Sequence, residues 1–224
     1  MCARYIAFTE HVSPVLVADI FGLVEVPTLS PRYNVAPSQM VPVVGAKPDG
    51  RRGMSLFKWG FVPNWANDTS GPKPVNAKSE TVAHGMMFAE SFRRRRCLMP
   101  ACGFYEWRTV GKKKYPLHFH MRDGQPFAFA AIWDRWAGPD GPLFTCALLT
   151  TTPNDLVREV HDRMPVILPR SAYAAWLDPT ADGDALRSLL APYPAAEMVA
   201  NPANPAMNKP TFEGPECLVA PAAA

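Results

Sequence analysis

Apolar segments with the patterns of β-strands are concentrated in the second third of the chain. They cover residues 97–100, 103–108, 117–121, 127–133 and 143–150. Segment 117–121 alternates apolar and polar residues, which favours a half-buried strand, whereas 127–133 is almost entirely apolar and is typical of a buried one. Short turns separate these segments, with Gly111 at one predicted hairpin tip and Asp123-Gly124 at the next turn. We therefore predict an antiparallel meander of three or four strands.

Helix signals are fewer and shorter. The segment 152–155 (Thr-Pro-Asn-Asp) has proline and acidic residues where a helix begins, and it predicts a helix that runs through Val160 and ends before Met164-Pro165. Three further helix candidates cover residues 81–92, 171–177 and 184–190. The first of them ends in the basic run 93–96. Twenty-five prolines in 224 residues argue against long uninterrupted helices.

The predicted fold is α+β, mainly antiparallel β with short peripheral helices. No polar linker divides the chain, so we expect one domain over residues 1–224. From about residue 194 the sequence is rich in proline and alanine, which predicts an extended tail over the surface with a disordered end.

Composition narrows the class of protein. Hydrophobic residues make up 48% and charged residues 19%, which excludes global disorder. No apolar run reaches the roughly 20 residues of a membrane-spanning helix, and the start lacks a secretory signal. The five cysteines are odd in number and widely spaced, which predicts a reducing, cytoplasmic setting. The net charge is only +3, so a polyanionic partner would need a local basic patch.

Cys2 offers the most distinctive chemistry. If Met1 is removed, Cys2 carries a free α-amine and a thiol on adjacent carbons. An α-amine has a pKa of about 7.7–8.0 against about 10.4 for lysine, so far more of it is unprotonated near neutral pH. Such an amine can form a Schiff base with an aldehyde, and the thiol can then close a thiazolidine ring. Taken alone, a cysteine at position 2 can also occur by chance.

Three other residues are candidate partners for this chemistry. Glu106 lies between two aromatic residues on a predicted strand, where an apolar setting would raise its pKa, although an edge-strand glutamate is usually solvated. His161 opens a polar loop after a short predicted helix, although a lone histidine is usually an ordinary hydrogen-bonding residue. Asn76 precedes a polar segment, where asparagine is otherwise a turn former or a helix cap.

Ordered motifs across the chain resemble the SRAP (SOS-response-associated peptidase) family. They are 2–5 (CARY), 33–39 (YNVAPSQ), 59–63 (WGFVP), 76–81 (NAKSET), 96–98 (RCL), 103–107 (GFYEW) and 161–165 (HDRMP). Each motif alone is weak, but together they cover nearly the whole chain in order. The resemblance implies a barrel-like SRAP fold that acts as a monomer without cofactor or metal.

The resemblance also implies a function and a set of catalytic residues. Cys2, exposed by loss of Met1, would form a covalent crosslink to the ring-opened aldehyde of an abasic site in single-stranded DNA. Glu106 would move protons during sugar opening and ring formation, and His161 would assist Schiff-base formation. Asn76 would orient the sugar or the Cys2 terminus. Autoproteolytic, peptidase and lyase-type activities belong to the same expectation.

Candidates for DNA binding lie inside the same motifs. Arg4, Lys78 and Arg163 are the expected phosphate ligands, and Asn34 and Ser38 are weaker polar candidates. The run 93–96 is either a DNA contact or a solvated face. Three tryptophans are either base-stacking platforms or core residues, and these are Trp59, Trp65 and Trp107.

Two positions depart from the family pattern. Ala3 stands where the family usually has glycine, and its methyl group would narrow the approach of DNA to the nucleophile. Lys78 stands where arginine is common, which keeps the charge but loses a bidentate fork for phosphate. A retained Met1 would make ring closure at Cys2 impossible.

Three other functions remain open from the sequence. The first is a cysteine peptidase that uses Cys2 and His161. The second is a module that binds single-stranded DNA without covalent chemistry. The third is zinc binding, although the spacing matches no standard zinc motif, through Cys97, Cys102, His118 and His120.

Overall fold

Two β-sheets form the body of the part of the chain that the structure describes. The computed structural model describes residues 2–47 and 49–220. The smaller sheet is antiparallel, in the order β1 (Tyr5–Ile6), β6 (Gly103–Val110), β7 (Lys113–Met121) and β12 (Met198–Pro202). The larger sheet has the order β10 (Met164–Pro165), β9 (Gly141–Thr151), β3 (Arg52–Trp59), β2 (Met40–Ala46), β5 (Arg96–Ala101), β8 (Phe127–Gly138) and β11 (Ile167–Leu168), with β4 (Asn76–Lys78) on β9.

The larger sheet closes into an incomplete ring. β8 pairs with β9 as well as with β5, so β9, β3, β2, β5 and β8 form a circuit. Two of the strand pairings in this circuit are short. Only Val44 and Leu98 pair β2 with β5, and only two register pairs join β3 to β9. Pairings of β9 with β3 and with β4 are parallel, and the others are antiparallel. The predicted mainly antiparallel α+β class is confirmed, with a ring that falls short of a regular barrel.

The predicted strands of the second third are present, but the continuous meander is wrong. β6 and β7 form one hairpin and β8 and β9 form another. The turn at residues 122–126 carries the chain from the smaller sheet to the larger one, so β7 and β8 do not pair. Strand identity follows from local residue pattern, whereas the sheet that a strand joins depends on packing between distant segments.

Within residues 2–47 and 49–220, five short α-helices lie outside the sheets. They are α1 (Pro14–Phe21), α2 (Ala89–Arg94), α3 (Asp155–Arg158), α4 (Tyr173–Leu177) and α5 (Gly183–Ser188), and 3₁₀ segments cover Arg170–Ala172, Ala195–Glu197, Pro205–Asn208 and Pro215–Leu218. Asn154 caps α3 by accepting the Val157 N–H, as a helix start there predicts. The helix predicted from residue 81 begins only at Ala89, because turns around Gly85 occupy residues 81–88.

Aromatic side chains fill the space between the two sheets. Tyr5 on β1 packs edge-on against Trp59 and Phe129 of the larger sheet, with ring centroids 5.5 and 5.8 Å apart. Phe104 stacks on Phe119 within the smaller sheet at 5.1 Å. All five side chains are buried, and burial of one such ring contributes roughly 2–3 kcal/mol. This packing holds β1 of the smaller sheet against the larger sheet and places Cys2, three residues before β1, in the interior.

The tail beyond residue 194 adds to the smaller sheet. β12 pairs with β7 from Met198 opposite Met121 to Pro202 opposite Leu117, and the side chains of Met207 and Cys217 are buried. The disordered end predicted from composition falls on residues 221–224, outside the described residues. Among the described residues, no helix is long and apolar enough to cross a membrane.

Candidate active site around Cys2

Cys2 is enclosed at the entrance to β1. Its side chain is fully buried, and its Sγ lies 3.7 Å from the carbonyl oxygen of Arg4. Burial raises the pKa of the Cys2 thiol far above its ordinary value, and the negative charge of Glu106 raises it further. The resting group is therefore a neutral thiol that needs a proton acceptor before it can react. Met1 lies outside the described residues.

Asn76 contacts the backbone of Cys2 directly. It begins β4, which pairs with β9 opposite Leu148. Its Nδ2 donates a hydrogen bond of 3.0 Å to the carbonyl oxygen of Cys2, and this bond ties the start of the chain to the larger sheet. Its Oδ1 is buried and has no hydrogen-bond partner within the described part of the chain. A buried acceptor of this kind is costly unless a ligand satisfies it.

Glu106 supplies a carboxyl group in the same interior region. It lies on β6 opposite Leu117, and only 2% of it is exposed, so it is not on a solvated strand face. Burial raises the pKa of Glu106 to about 7, and the charge of Asp162 also raises it. A carboxyl group with this pKa can donate and accept protons near neutral pH.

His161 lies in the loop between α3 and β10. Its Nδ1 accepts the backbone N–H of Arg163 at 2.9 Å and lies equally close to Oδ1 of Asp162. Burial lowers the pKa of His161, although Asp162 acts in the opposite direction. The imidazole is therefore neutral at pH 7. Asp162, in the same loop, lies close enough to Glu106 for its charge to raise the pKa of that carboxyl group.

Two residues expected to bind DNA contact the tail instead. The guanidinium of Arg4 donates to Oδ1 of Asn34 at 2.7 Å and to the carbonyl oxygens of Met207 and Asn208 at 2.8 and 3.1 Å. Asn34 is fully buried, and its Nδ2 lies within 3.0 Å of three tail carbonyl oxygens. The side chain of Asn34 therefore anchors the tail, and a contact of Asn34 with DNA stays a prediction.

The other three candidates differ in accessibility. Lys78 is exposed on β4, two residues from Asn76. Ser38 is exposed and has a φ of 70°, a left-handed conformation that is strained for a residue other than glycine. Arg163 is mostly covered, because its guanidinium is bound to the carboxylate of Glu80 and to a backbone carbonyl oxygen.

The three tryptophans considered for base stacking also differ in their exposure. Trp59 is buried in the core, and its Nε1 donates to the carbonyl oxygen of Val75. Nε1 of Trp107 donates to Oδ1 of Asn208 in the tail. Trp65 is 59% exposed, and among these three tryptophans it alone presents a largely open ring. Trp65 is therefore the most open to base stacking, Trp59 is a core residue, and stacking by the half-buried Trp107 stays a prediction.

The zinc hypothesis is wrong for the part of the chain that the structure describes. No group of three or more histidine, cysteine, aspartate or glutamate side chains is placed there to hold a metal ion. His118 and His120 stack face to face at 4.7 Å instead of converging on one point. Cys97 and Cys102 are free cysteines with raised pKa values.

The basic run 93–96 contains two arginines with structural contacts and two exposed arginines. The guanidinium of Arg96 is buried against carbonyl oxygens near the ends of α2 and α4, including that of Trp176 at 2.7 Å. Arg95 pairs with Asp134 at 3.1 Å. Arg93 and Arg94 remain exposed. Two residues at the site were not assigned from sequence, Glu80 and Asp162, although both lie inside motifs that carry assigned residues.

The described residues thus offer a buried thiol, a carboxyl group whose pKa burial raises to about 7 and an imidazole whose pKa burial lowers as candidate groups for one reaction site. The family model described as "SOS response associated peptidase (SRAP)" matches residues 1–210, and the chain belongs to this family. Its family membership confirms the resemblance read from the motifs.

The names of similar proteins agree with this family assignment. The chain is 37% identical to the abasic site processing protein YoqW of Bacillus subtilis, over 97% of this chain and 99% of that protein. It is 28% identical to the abasic site processing protein YedK of Escherichia coli, over 84% and 83% of the two chains. A crystal structure of a Bacteroides thetaiotaomicron protein shares the fold, with a TM-score of 0.86, 24% identity and coverage of 98% and 100%.

Proposed function

We propose that the chain captures the aldehyde of an abasic site in single-stranded DNA as a thiazolidine at Cys2, after Met1 is removed. Family membership and the names of the relatives support the processing of abasic sites. The observation that carries the covalent step is the position of Cys2, which is hydrogen-bonded by Asn76 and lies within the electrostatic reach of the buried carboxyl group of Glu106.

The amine is the first nucleophile in the proposed reaction. The α-amine of Cys2 attacks the C1 carbonyl carbon of the ring-opened sugar and forms a carbinolamine. Loss of the hydroxyl group as water leaves a C=N bond. The sulfur then adds to the same carbon while the nitrogen takes up a proton, so the net change is addition of the DNA with loss of one water.

Glu106 is suited to both proton transfers. Because burial raises its pKa to about 7, the protonated form can donate to the departing hydroxyl group near neutral pH. The carboxylate that remains can then accept the proton of the Cys2 thiol, whose own pKa is raised by burial. A thiol that does not ionise unaided requires such a base.

Neutral His161 and the open acceptor of Asn76 would assist the same steps. A neutral imidazole can share the proton transfers of Schiff-base formation. Oδ1 of Asn76 would accept a hydrogen bond from a sugar hydroxyl group, and this would satisfy a buried acceptor that has no partner in the described residues.

The state of the thiol argues against a general cysteine peptidase. The nucleophile of such an enzyme is a thiolate, which is favoured by a lowered pKa in an electropositive and partly exposed setting. Cys2 is fully buried, and its pKa is raised. The covalent capture of an aldehyde by the amine needs no preformed thiolate.

Intact-mass spectrometry of the processed protein with an abasic single-stranded oligonucleotide tests the proposal. We expect a denaturant-stable product with the mass of protein plus DNA minus one water. Cys2→Ala keeps the terminal amine, so it should give only a Schiff base that survives when reduced with borohydride. Cys102→Ala, a cysteine outside the site, is the matched control and should react like the unaltered chain.

Two results would contradict covalent capture. A complex of the unaltered chain that dissociates in denaturant would identify a non-covalent DNA-binding module. Cleavage of added peptides that is abolished in Cys2→Ser, without an adduct on abasic DNA, would identify a peptidase.

A further inference from the structure

A carboxylate that the proposed reaction does not use holds the loop of His161. Oε1 and Oε2 of Glu80 accept hydrogen bonds of 2.6 and 2.9 Å from the two terminal nitrogens of Arg163. The same guanidinium donates at 2.7 Å to the carbonyl oxygen of Thr150 on β9. The pair is thus a bidentate fork with a third contact to the sheet, a geometry that only arginine provides.

The anchor on β9 is shared with the segment that carries Asn76. The backbone N–H of Ser79 donates at 2.8 Å to the same Thr150 carbonyl oxygen, directly after β4. Glu80 therefore follows a residue whose backbone is anchored to the larger sheet, and its side chain reaches the guanidinium of Arg163. This arrangement joins the segment after Asn76 to the loop of His161 at one carbonyl oxygen.

The backbone of Arg163 in turn contacts the imidazole. Its N–H donates at 2.9 Å to Nδ1 of His161, and a ring nitrogen that accepts a hydrogen bond cannot itself carry a proton. Asp162 offers a carboxylate to the same nitrogen at 2.9 Å, which would suit a protonated Nδ1. The backbone donor is fixed by the fork, whereas the Asp162 side chain is 89% exposed and can turn away.

We propose that Glu80 is a positioning residue for His161. By holding the guanidinium of Arg163 on β9, Glu80 keeps the Arg163 N–H against Nδ1 of His161 and fixes the neutral tautomer that carries its proton on Nε2. The imidazole then enters the reaction as an Nε2–H donor. Its role in the crosslink rests on the proposed function, whereas the tautomer is a property of the protein without DNA.

The ¹⁵N spectrum of the DNA-free protein tests the tautomer directly. His161 signals, assigned by their loss in His161→Gln, should show an unprotonated Nδ1 and a protonated Nε2. Glu80→Gln removes one carboxylate oxygen and should give signals averaged between the two tautomers. Asp162→Asn should leave the tautomer unchanged. A protonated Nδ1 in the unaltered chain, or an unchanged tautomer in Glu80→Gln, would overturn the inference.

Rates of adduct formation give the functional readout. Loss of an outer partner that orients a histidine typically lowers activity by about tenfold or more, and we expect at least that in Glu80→Gln at saturating DNA. Glu90→Gln is the matched control, because Glu90 also pairs with an arginine and has 52% exposure against 47% for Glu80. Glu80→Asp should recover part of the rate.

Affinity separates positioning from an electrostatic effect on DNA. Measured in the Cys2→Ala background, binding of abasic DNA to Glu80→Gln should stay equal or tighten, because one negative charge is lost. A fall in rate explained entirely by weaker binding would contradict positioning. If the unaltered chain forms no adduct, the proposed function fails, while the ¹⁵N experiment still decides the role of Glu80.

Discussion

Two asparagines of this protein, the fully buried Asn34 and the half-buried Asn76, differ in what their side chains bind. Asn34 is fully buried, its Oδ1 accepts from Arg4, and its Nδ2 contacts carbonyl oxygens of the tail. Asn76 donates once, to the carbonyl oxygen of Cys2, and its buried Oδ1 has no partner in the described residues. The first side chain is saturated by the fold, and the second keeps an acceptor for a ligand.

The difference shows how to distinguish a polar side chain that stabilises the fold from one that is available to a ligand, when both lie in family motifs. Both asparagines belong to motifs that mark the family, so motif membership alone does not distinguish them. A satisfied buried amide stabilises the fold, whereas an unsatisfied one costs free energy that a ligand can recover. We expect four substitutions to test this distinction and the roles of the neighbouring groups.

The largest effect is expected for Asn34→Ala. The change leaves several buried carbonyl oxygens of the tail and the Arg4 guanidinium without their partner, so the free energy of unfolding should fall by about 3 kcal/mol or more. Urea denaturation measures it. A loss below about 1 kcal/mol would show that the tail is not held by this side chain.

Asn76→Ala should give the opposite pattern. Removal of one hydrogen bond to Cys2 should lower the free energy of unfolding by only about 1 kcal/mol. The adduct rate should fall about 100-fold, since loss of one preorganised polar contact to a reacting group has that order of effect. Quenched-flow kinetics beside urea denaturation measure both, and equal rates in the two chains would assign Asn76 to the fold alone.

Glu106→Gln should change stability in a pH-dependent way. Because the pKa of Glu106 rises from about 4.5 to about 7 on folding, the folded state favours the protonated carboxyl group, and the unaltered chain loses stability as the pH rises between these values. The glutamine variant should therefore have the same free energy of unfolding as the unaltered chain below pH 4.5. Above pH 7 its free energy of unfolding should be higher than that of the unaltered chain by up to roughly 3 kcal/mol. Thermal unfolding at pH 4, 6 and 8 tests this, and a pH-independent difference would refute it.

The smallest effect is expected for Lys78→Ala. As an exposed phosphate ligand beside Asn76, Lys78 should contribute one ion contact, so the slope of log affinity against log salt should become shallower by about 1. Lys112→Ala, at the exposed tip of the β6–β7 hairpin, is the control and should leave the slope unchanged. The reverse result would move the DNA path towards that hairpin.

The fold was predictable where the residue pattern is local. Alternation in 117–121 and the apolar run of 127–133 gave correct strands because each segment packs on one or two faces along its own length. The strands β2 and β3 were not anticipated, since Pro42, Gly45 and Gly53 interrupt any simple alternation. Their pairing, and the entry of β7 and β8 into different sheets, depend on contacts between distant segments.

The site was predictable only as a set of candidate residues. Cys2 stood out through its chemistry, and the motifs around Asn76, Glu106 and His161 singled out the others. The contacts of Arg4 and Asn34 with the tail span more than 170 residues of sequence, so no local pattern indicates them. The fork between Glu80 and Arg163 was hidden for the same reason, although each residue lies in a recognised motif.

The short strand pairings of the ring affect which of its strands can move. With one register pair between β2 and β5 and two between β3 and β9, the β2–β3 hairpin is hinged to the remaining strands by few backbone bonds. We therefore expect the largest backbone fluctuations in that hairpin, whereas β8 and β9 are joined by eight register pairs. Asn76 and the anchor of Arg163 are both attached to β9, so these two groups lie on the more rigid part of the ring.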